Sequence, residues 1–283
     1  MSFDQLLNGV ALGSLLMILS SGLAMIYGLR GVTNFAHGAL YMVGAYVAYS
    51  VSSNVSFWAA LIVAPIALAV VGVVLEMVFF RRLQHRSHIE VGLVTFGIAM
   101  IIERVVVLTW GERTLSVEVP SVFAGTTSIF GVDYPTYRLF IIVVALALAF
   151  ALVRWIRSTT TGLYIRAASH DVETSGILGI NVDRVSLTVV CVGAGLAGLA
   201  GALAAPYVSV QPAMGVSILI TVLIVVVIGG AGSIGGAMIA GMALGIVQTL
   251  GSLWLPSVAV LVPYAALVVV LLWRPTGIAG KRV

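Results

Sequence analysis

Runs of about 18 to 25 predominantly apolar residues follow one another along nearly the whole chain, from Leu6 to Trp273. A run of that length spans a bilayer core about 30 Å thick as a helix, which satisfies its own backbone hydrogen bonds where no water can. The weaker alternating pattern of a membrane barrel is absent from the sequence. Of the 283 residues 61% are hydrophobic and 8% charged, whereas a water-soluble domain carries about 25% charged residues to cover its surface. The expected fold is an all-α integral membrane protein, a single transmembrane domain over residues 1–283. About nine spans (eight to ten), some short or broken, are expected near 6–28, 35–52, 57–80, 91–110, 138–156, 185–208, 214–230, 234–252 and 256–273. The first is expected to stay as a helix: Met1 to Gln5 carries Asp4 but no Lys or Arg, and no small-residue cleavage site follows a short apolar core.

Loop charges orient these spans. Arg30, Arg81, Arg82, Arg86, Arg154, Arg157, Arg166, Arg184, Arg274, Lys281 and Arg282 fall on one side of the alternation, against Arg113 and Arg138 on the other, with Arg104 inside a span. Basic loops mark the cytoplasm. The N-terminus and the loop 111–137 are then outside, the C-terminus and the polar stretch 157–184 inside. The net charge of +4 reports this orientation, and no basic patch interleaved with aromatics suggests nucleic acid. The outer loop has β-branched residues around Gly131 and fits a small surface hairpin, either a docking element or a tether.

Few residues carry chemistry. Cys191 is the single cysteine, so an intrachain disulfide is impossible, and no metal or redox motif is present; inside an apolar run it reads as a small buried hydrophobe. Gly229-Gly230-Ala231-Gly232-Ser233-Ile234-Gly235-Gly236 is not a phosphate loop, since no Gly-Lys-Ser/Thr follows and Lys281 is the only lysine. Nor is it a nucleophile elbow, because the first glycine of that motif is missing. It reads as a tight turn between helices. Small residues recur every four positions at Gly193, Ala197, Gly201 and at Ala237, Gly241, Gly245, which gives flat helix faces, for packing or for lining a path. No nucleophile–base or metal-ligand set is visible, so the chain is not read as an enzyme.

Two interruptions bear on transport. In Gly28-Leu-Arg-Gly31-Val-Thr-Asn34-Phe35-Ala-His37-Gly38 one span ends and a shorter one begins, with Thr33 or Asn34 as N-cap. A short helix of this kind exposes backbone N–H groups and the positive end of its dipole, and transporters aim such ends at carboxylates. Asn34, Phe35, His37, Gly38 and Tyr41, with Gly232 and Ser233 of the glycine turn, are the candidate pathway residues; His37 is either a structural hydrogen-bonder or a titrating group. Glu103 and Arg104 lie within the fourth span, where a central charge costs about 2.5–3.5 kcal/mol on insertion scales. They are a structural pair with other helices or a part of transport. Glu76, near the inner end of the third span, is expected to lean on water and on Arg81 and Arg82.

The stretch from Arg154 to Arg184 is the only long polar segment on the basic side. Gly162-Leu163 opens a short helix, Asp171 is a candidate N-cap for a second and Gly179 a natural stop before Ile180. A merely solvated loop needs no such order, so a helix that docks a partner is expected.

The segments NFAHGALYMVGAYVA (34–48), RAASHDVETSGILGINVDRV (166–185) and GGAGSIGGAMIAGMALGIVQ (229–248) resemble those of LivH-type permeases, the membrane subunits of branched-chain amino acid ABC importers. The resemblance implies half of a translocation pathway in a bacterial inner membrane. It also implies a paralogous LivM-type permease, two cytoplasmic ABC ATPase subunits that use ATP and Mg, and a periplasmic binding protein that selects substrate, while this chain binds no cofactor and contacts lipid. By the same likeness Arg166 to Ile180 would be the coupling helix, with Arg166, Ala167, His170, Asp171, Glu173, Gly179 and Ile180 against an ATPase. Glu103 and Arg104 depart from the family's uncharged polar pattern and inherit no role. Relatives of this kind also serve urea, short amides or other amino acids, and an ion-coupled secondary transporter or channel using Glu103, Arg104 and His37 is the reading from another class.

Overall fold

A computed structural model describes residues 3–84, 86–129 and 131–280. Eleven α-helices make up most of it: α1 Phe3–Arg30, α2 His37–Asn54, α3 Phe57–Leu75, α4 His88–Trp110, α5 Thr136–Ser158, α6 Thr160–His170, α7 Val172–Ile177, α8 Val182–Ala204, α9 Met214–Gly229, α10 Ile234–Trp254 and α11 Val262–Trp273. A π-helical turn, Glu76–Phe80, prolongs α3, and a 3₁₀ turn, Pro256–Leu261, leads into α11. Among the described residues seven helical segments are long and apolar enough to cross a membrane; α2 and the 16-residue α9 run through the same bundle beside them. α8 starts three residues before the expected span because Asn181 caps it, its Oδ1 accepting from Arg184 N–H at 3.0 Å. Likewise α4 starts at His88 because Ser87 and Glu90 form a capping box.

The core is built around α1, most of which is buried. α10, α8 and α5 pack along it, and α2 and α3 close on the other face of α8. These approaches rest on absent side chains. A Cβ at Gly201 would lie 2.1 Å from the Tyr41 carbonyl oxygen, and one at Gly245 would lie 2.2 Å from Gly13 N. The four-residue spacing in α8 and α10 is therefore a packing device. Ser20 adds an interhelical hydrogen bond, its hydroxyl donating to the Ala237 carbonyl at 3.2 Å. Cys191, expected to be buried, is half-exposed on the face of α8 away from α1.

The outer loop forms the expected hairpin, Thr126–Ile129 paired antiparallel with Val132–Pro135 across Gly131 at φ +80°. It is fastened to the bundle. Tyr134 Oη donates to Asn8 Oδ1 at 3.1 Å, Tyr137 Oη donates to the Leu203 carbonyl at 2.7 Å, and Phe123 stacks on Phe140 at 4.6 Å. Arg138 sits at this hairpin end, over the Tyr207 ring. Arg30, Arg81 and Arg166 lie at the opposite end, beside α6 and α7. Lys281 and Arg282 lie outside the described residues.

Candidate functional site

The α6–α7 end holds the two short helices that Gly162 and Asp171 predict, and the single coupling helix over 166–180 that the resemblance implied is divided between them. Asp171 caps α7, its Oδ1 accepting from Thr174 N–H at 2.9 Å and its Oδ2 from the Thr174 hydroxyl at 2.5 Å. A capping residue begins from non-helical backbone, here φ −155°, ψ 108°, so it cannot also sit inside a continuous helix over 166–180. α6 begins where Thr159 Oγ1 accepts from Gly162 N–H, and Gly162 is required because a Cβ would meet the Ile156 carbonyl oxygen at 2.2 Å. Ile165 and Ala168 turn inward; His170, Asp171 and Glu173 are exposed and Ala167 half-buried. Arg166 donates back to the Ile156 carbonyl, so it braces the α5–α6 corner. Gly179, at φ +86°, ends α7 and lets Ile180 N–H reach the Ser175 carbonyl at 3.0 Å. Ser175 alone is buried in α7, while Ile177 and Leu178, which sequence reasoning missed, are 80% and 75% exposed. Adjacent apolar side chains are thus held outward on a capped helix end.

The Thr174 hydrogen bonds hold the Asp171 carboxyl below the usual carboxylate range. A folded value below the unfolded one of about 3.9 means the cap's contribution is complete above that pH and is lost as pH falls through the lower folded value. Asp171→Ala is expected to speed hydrogen exchange of the Thr174 and Ser175 amides several-fold at neutral pH while the Ile165 amide in α6 keeps its protection; equal rates in both proteins would remove the cap from this account.

The α1–α2 corner differs from the expected open helix start. α2 begins at His37 and no side chain caps it. Asn34 closes the preceding turn instead: its Oδ1 accepts from Ala36 N–H at 3.0 Å and its carbonyl from His37 N–H at 3.2 Å, while Phe35 N–H donates to Thr95 Oγ1 at 3.1 Å. The Phe35, Ala36 and His37 N–H groups at this expected open start are thus occupied. His37 is buried, with Nε2 donating to the Leu19 carbonyl at 3.0 Å beside Gly22, which leaves room for the ring. Gly38 lies against the Gly215 carbonyl and Tyr41 inside the core. Phe35 is half-buried; it meets Phe96 edge-on and lines a cavity of about 620 Å³ with Tyr27, Thr33, His88 and Leu93. Gly232 packs against Gly28 on the α1 side of this corner, where a Cβ on Gly28 would lie 3.0 Å from the Gly232 carbonyl oxygen. Gly232 and Ser233 belong to the expected tight turn, with Gly230 and Gly232 at positive φ, and border a cavity of about 510 Å³ shared with Tyr27, Arg166 and His170. The structure therefore joins the glycine turn to the end of α1 and to α6, and Phe35 to α4.

Glu76 finds a partner the sequence did not suggest. Arg30 Nη2 donates to Glu76 Oε1 and, at 2.6 Å, to Ser186 Oγ, and Nη1 donates to the Phe80 carbonyl at 3.0 Å. Glu76 is 1% exposed, so this pair ties α1, the π turn and the start of α8 beneath α7. Arg81, the partner expected for it, instead faces Asp183 at 3.7 Å.

Towards the hairpin end, Arg104 approaches Glu112 in the following loop at 4.0 Å, both largely exposed, and Glu103 is half-buried. Neither residue pairs with a distant transmembrane helix among the described residues, contrary to the structural pairing considered above. A cavity of about 390 Å³ adjoins them, bounded by Gln211, Pro212 and Ala213 ahead of α9.

The description "Branched-chain amino acid transport system / permease component" belongs to a family whose model matches residues 5–271. The permease LivH of the high-affinity branched-chain amino acid transport system of Salmonella typhimurium is 33% identical, covering 98% of this chain and 95% of its own. The corresponding permease BraD of Pseudomonas aeruginosa is 30% identical over 98% and 95%. The solved structure of PsaBC from Streptococcus pneumoniae in complex with Fab aligns over 95% of this chain and 92% of its own, with 14% identity and a TM-score of 0.49.

Proposed function

The chain belongs to the family of branched-chain amino acid transport permeases, and from that premise we propose that it is the membrane subunit of an ATP-driven importer, forming half of the pathway through which branched-chain amino acids enter the cell. A second, paralogous permease supplies the other half, two ABC ATPase subunits supply energy and use the ATP and Mg, and a binding protein delivers substrate at the hairpin end. The membrane is the bacterial inner membrane, with the N-terminus and hairpin outside and α6 and α7 in the cytoplasm; the basic residues gathered around α6 support this orientation.

The observation that carries the reading is the α6–α7 element. It is too ordered for a connecting loop, and its outer edge offers Ile177 and Leu178 to a partner. An ATPase subunit seated there would pull on α6, which is braced to α5 by Arg166 and continues through Gly179 into α8. Coupling contact therefore centres on Val172–Ile177 and Leu178, with His170, Asp171 and Glu173 at its rim, while Arg166, Ala167, Gly179 and Ile180 position it. The wall of the pathway is the side where α4 and α9 flank α2, reached by Phe35; Asn34, His37, Gly38 and Tyr41 support it from behind, and Gly232 and Ser233 close the cytoplasmic end.

The joint substitution Ile177→Asp and Leu178→Asp, which changes only exposed positions, is expected to leave the bundle folded and to reduce both co-purification of the ATPases and ATP-dependent leucine uptake by about tenfold or more. Uptake at the original rate with ATPases attached would show that energy enters elsewhere. Uptake by the purified chain alone, driven by an ion gradient in liposomes, would replace this reading with an ion-coupled carrier.

A further inference from the structure

We propose that Arg104 and Glu112, with Glu103 beside them, form the entry subsite that takes a zwitterionic α-amino acid by its two backbone charges. This rests on the importer reading above. Arg104 stands six residues before Trp110, the last residue of α4, and so about 9 Å inward along the helix. Its side chain is 71% exposed. A guanidinium at that depth needs a counter-charge or water, and here both it and its partner Glu112 are open to the adjoining cavity. The loop beyond is fixed rather than trailing: Leu115 and Val210 exchange two backbone hydrogen bonds, 2.8 and 2.9 Å, which brings Glu112 and Gln211 to the same mouth.

The chemistry of that mouth is specific. The cavity of about 390 Å³ lies within the ~300–1,000 Å³ of small-molecule sites and holds one cation and two carboxylates against Met100, Val107 and Pro212. An α-amino acid carries a carboxylate and an ammonium a few bonds apart and, in this class, an aliphatic side chain. Arg104 can fork the carboxylate, Glu112 or Glu103 can accept from the ammonium, and Met100 and Val107 offer apolar surface. The resident pair is no obstacle, since an exposed ion pair at 4.0 Å is worth little and exchanges readily for the two charges of the ligand. Urea or a neutral amide would leave both charges unmatched. Further along α4 the exposed Phe96, Leu93 and Ile89 lead to the cavity beside Phe35, an apolar continuation in which the ligand would be held less firmly than at the charged mouth.

The test uses the complete complex with its paralogous permease, ATPases and binding protein in proteoliposomes, with radiolabelled leucine and saturating binding protein. Arg104→Gln and Glu112→Gln are each expected to lower ATP-dependent uptake about tenfold, Arg104→Lys less, with the affinity of the complex for leucine-loaded binding protein unchanged. Uptake by Arg104→Gln within about twofold of wild type would overturn the subsite. A loss of uptake accompanied by loss of binding-protein affinity would also overturn it, making Arg104 a docking contact. Absence of ATP-dependent leucine uptake in the wild-type complex would instead defeat the importer reading on which the subsite rests.

Discussion

Glu76→Ala is expected to destabilise the bundle by about 3 kcal/mol, because it leaves the Arg30 guanidinium in a largely buried site built around a carboxylate. The pair is not an ordinary surface bridge. Glu76 is 1% exposed and Arg30 15%, and the guanidinium also engages Ser186 and the Phe80 carbonyl and lies 5.5 Å from the Phe80 ring centroid. Removing one partner of such a pair costs far more than removing both. The double substitution Arg30→Met with Glu76→Met should recover most of the loss, since well-packed apolar residues replace a desolvated ion pair at little or no net cost. Thermal unfolding in detergent reads the effect, a fall of roughly 10 °C for the single change. A single mutant melting within about two degrees of wild type would mean that water reaches Glu76. Because the pair joins α1, the π turn and α8 directly under α7, the single mutant should also uncouple nucleotide hydrolysis from uptake at temperatures where it remains folded.

Gly201→Val is expected to prevent a stable fold. Its Cβ would stand 2.1 Å from the Tyr41 carbonyl oxygen and 2.9 Å from Ala45 N, which are backbone atoms that cannot rotate away. Overpacking by a single group typically costs about 1–3 kcal/mol when side chains can yield; here α2 and α8 must separate along their length, which also loosens Tyr41 and Gly44. Gly97→Ala in α4 is the control, since a Cβ there meets nothing within 4 Å and alanine favours helix by about 1 kcal/mol. Size-exclusion profiles of the solubilised proteins separate the two: aggregation or loss of the monodisperse peak for Gly201→Val, a wild-type profile for Gly97→Ala. A wild-type profile for Gly201→Val would show that α2 and α8 are not held at this distance.

The same residues show what could be read from sequence. The four-residue repeat of small residues in α8 is local and periodic, so its packing role was legible in Gly193, Ala197 and Gly201; which helices it met was not. Asp171 was legible as a cap because capping depends on Thr174 three residues on. The single coupling helix over 166–180 carried over from the family likeness failed for the same reason, since a cap ends what precedes it. Glu76 was assigned to Arg81 and Arg82 by proximity in the chain, whereas Arg30 lies 46 residues away and is brought there because α1 and α3 run parallel, with α2 returning between them, and so end side by side. His37 depended on Gly22, a cavity-making absence that leaves no mark on the sequence around His37. Ile177 and Leu178 drew no reading from the sequence, because an exposed apolar pair and a buried one are written alike until the fold assigns them a side.

The deep burial of α1 also imposes a sequence of events in time. Its principal neighbour, α10, begins at Ile234, more than two hundred residues downstream of Arg30, and translation at ~5–20 residues per second places that arrival on the order of 10–40 s later. Through this interval Gly13, Ser20 and the closely apposed backbone of α1 have no helix to receive them. The first helix made is thus among the last to be finished, and a nascent chain stalled before Ile234 should present α1 to lipid or to the insertion machinery as an unclosed surface.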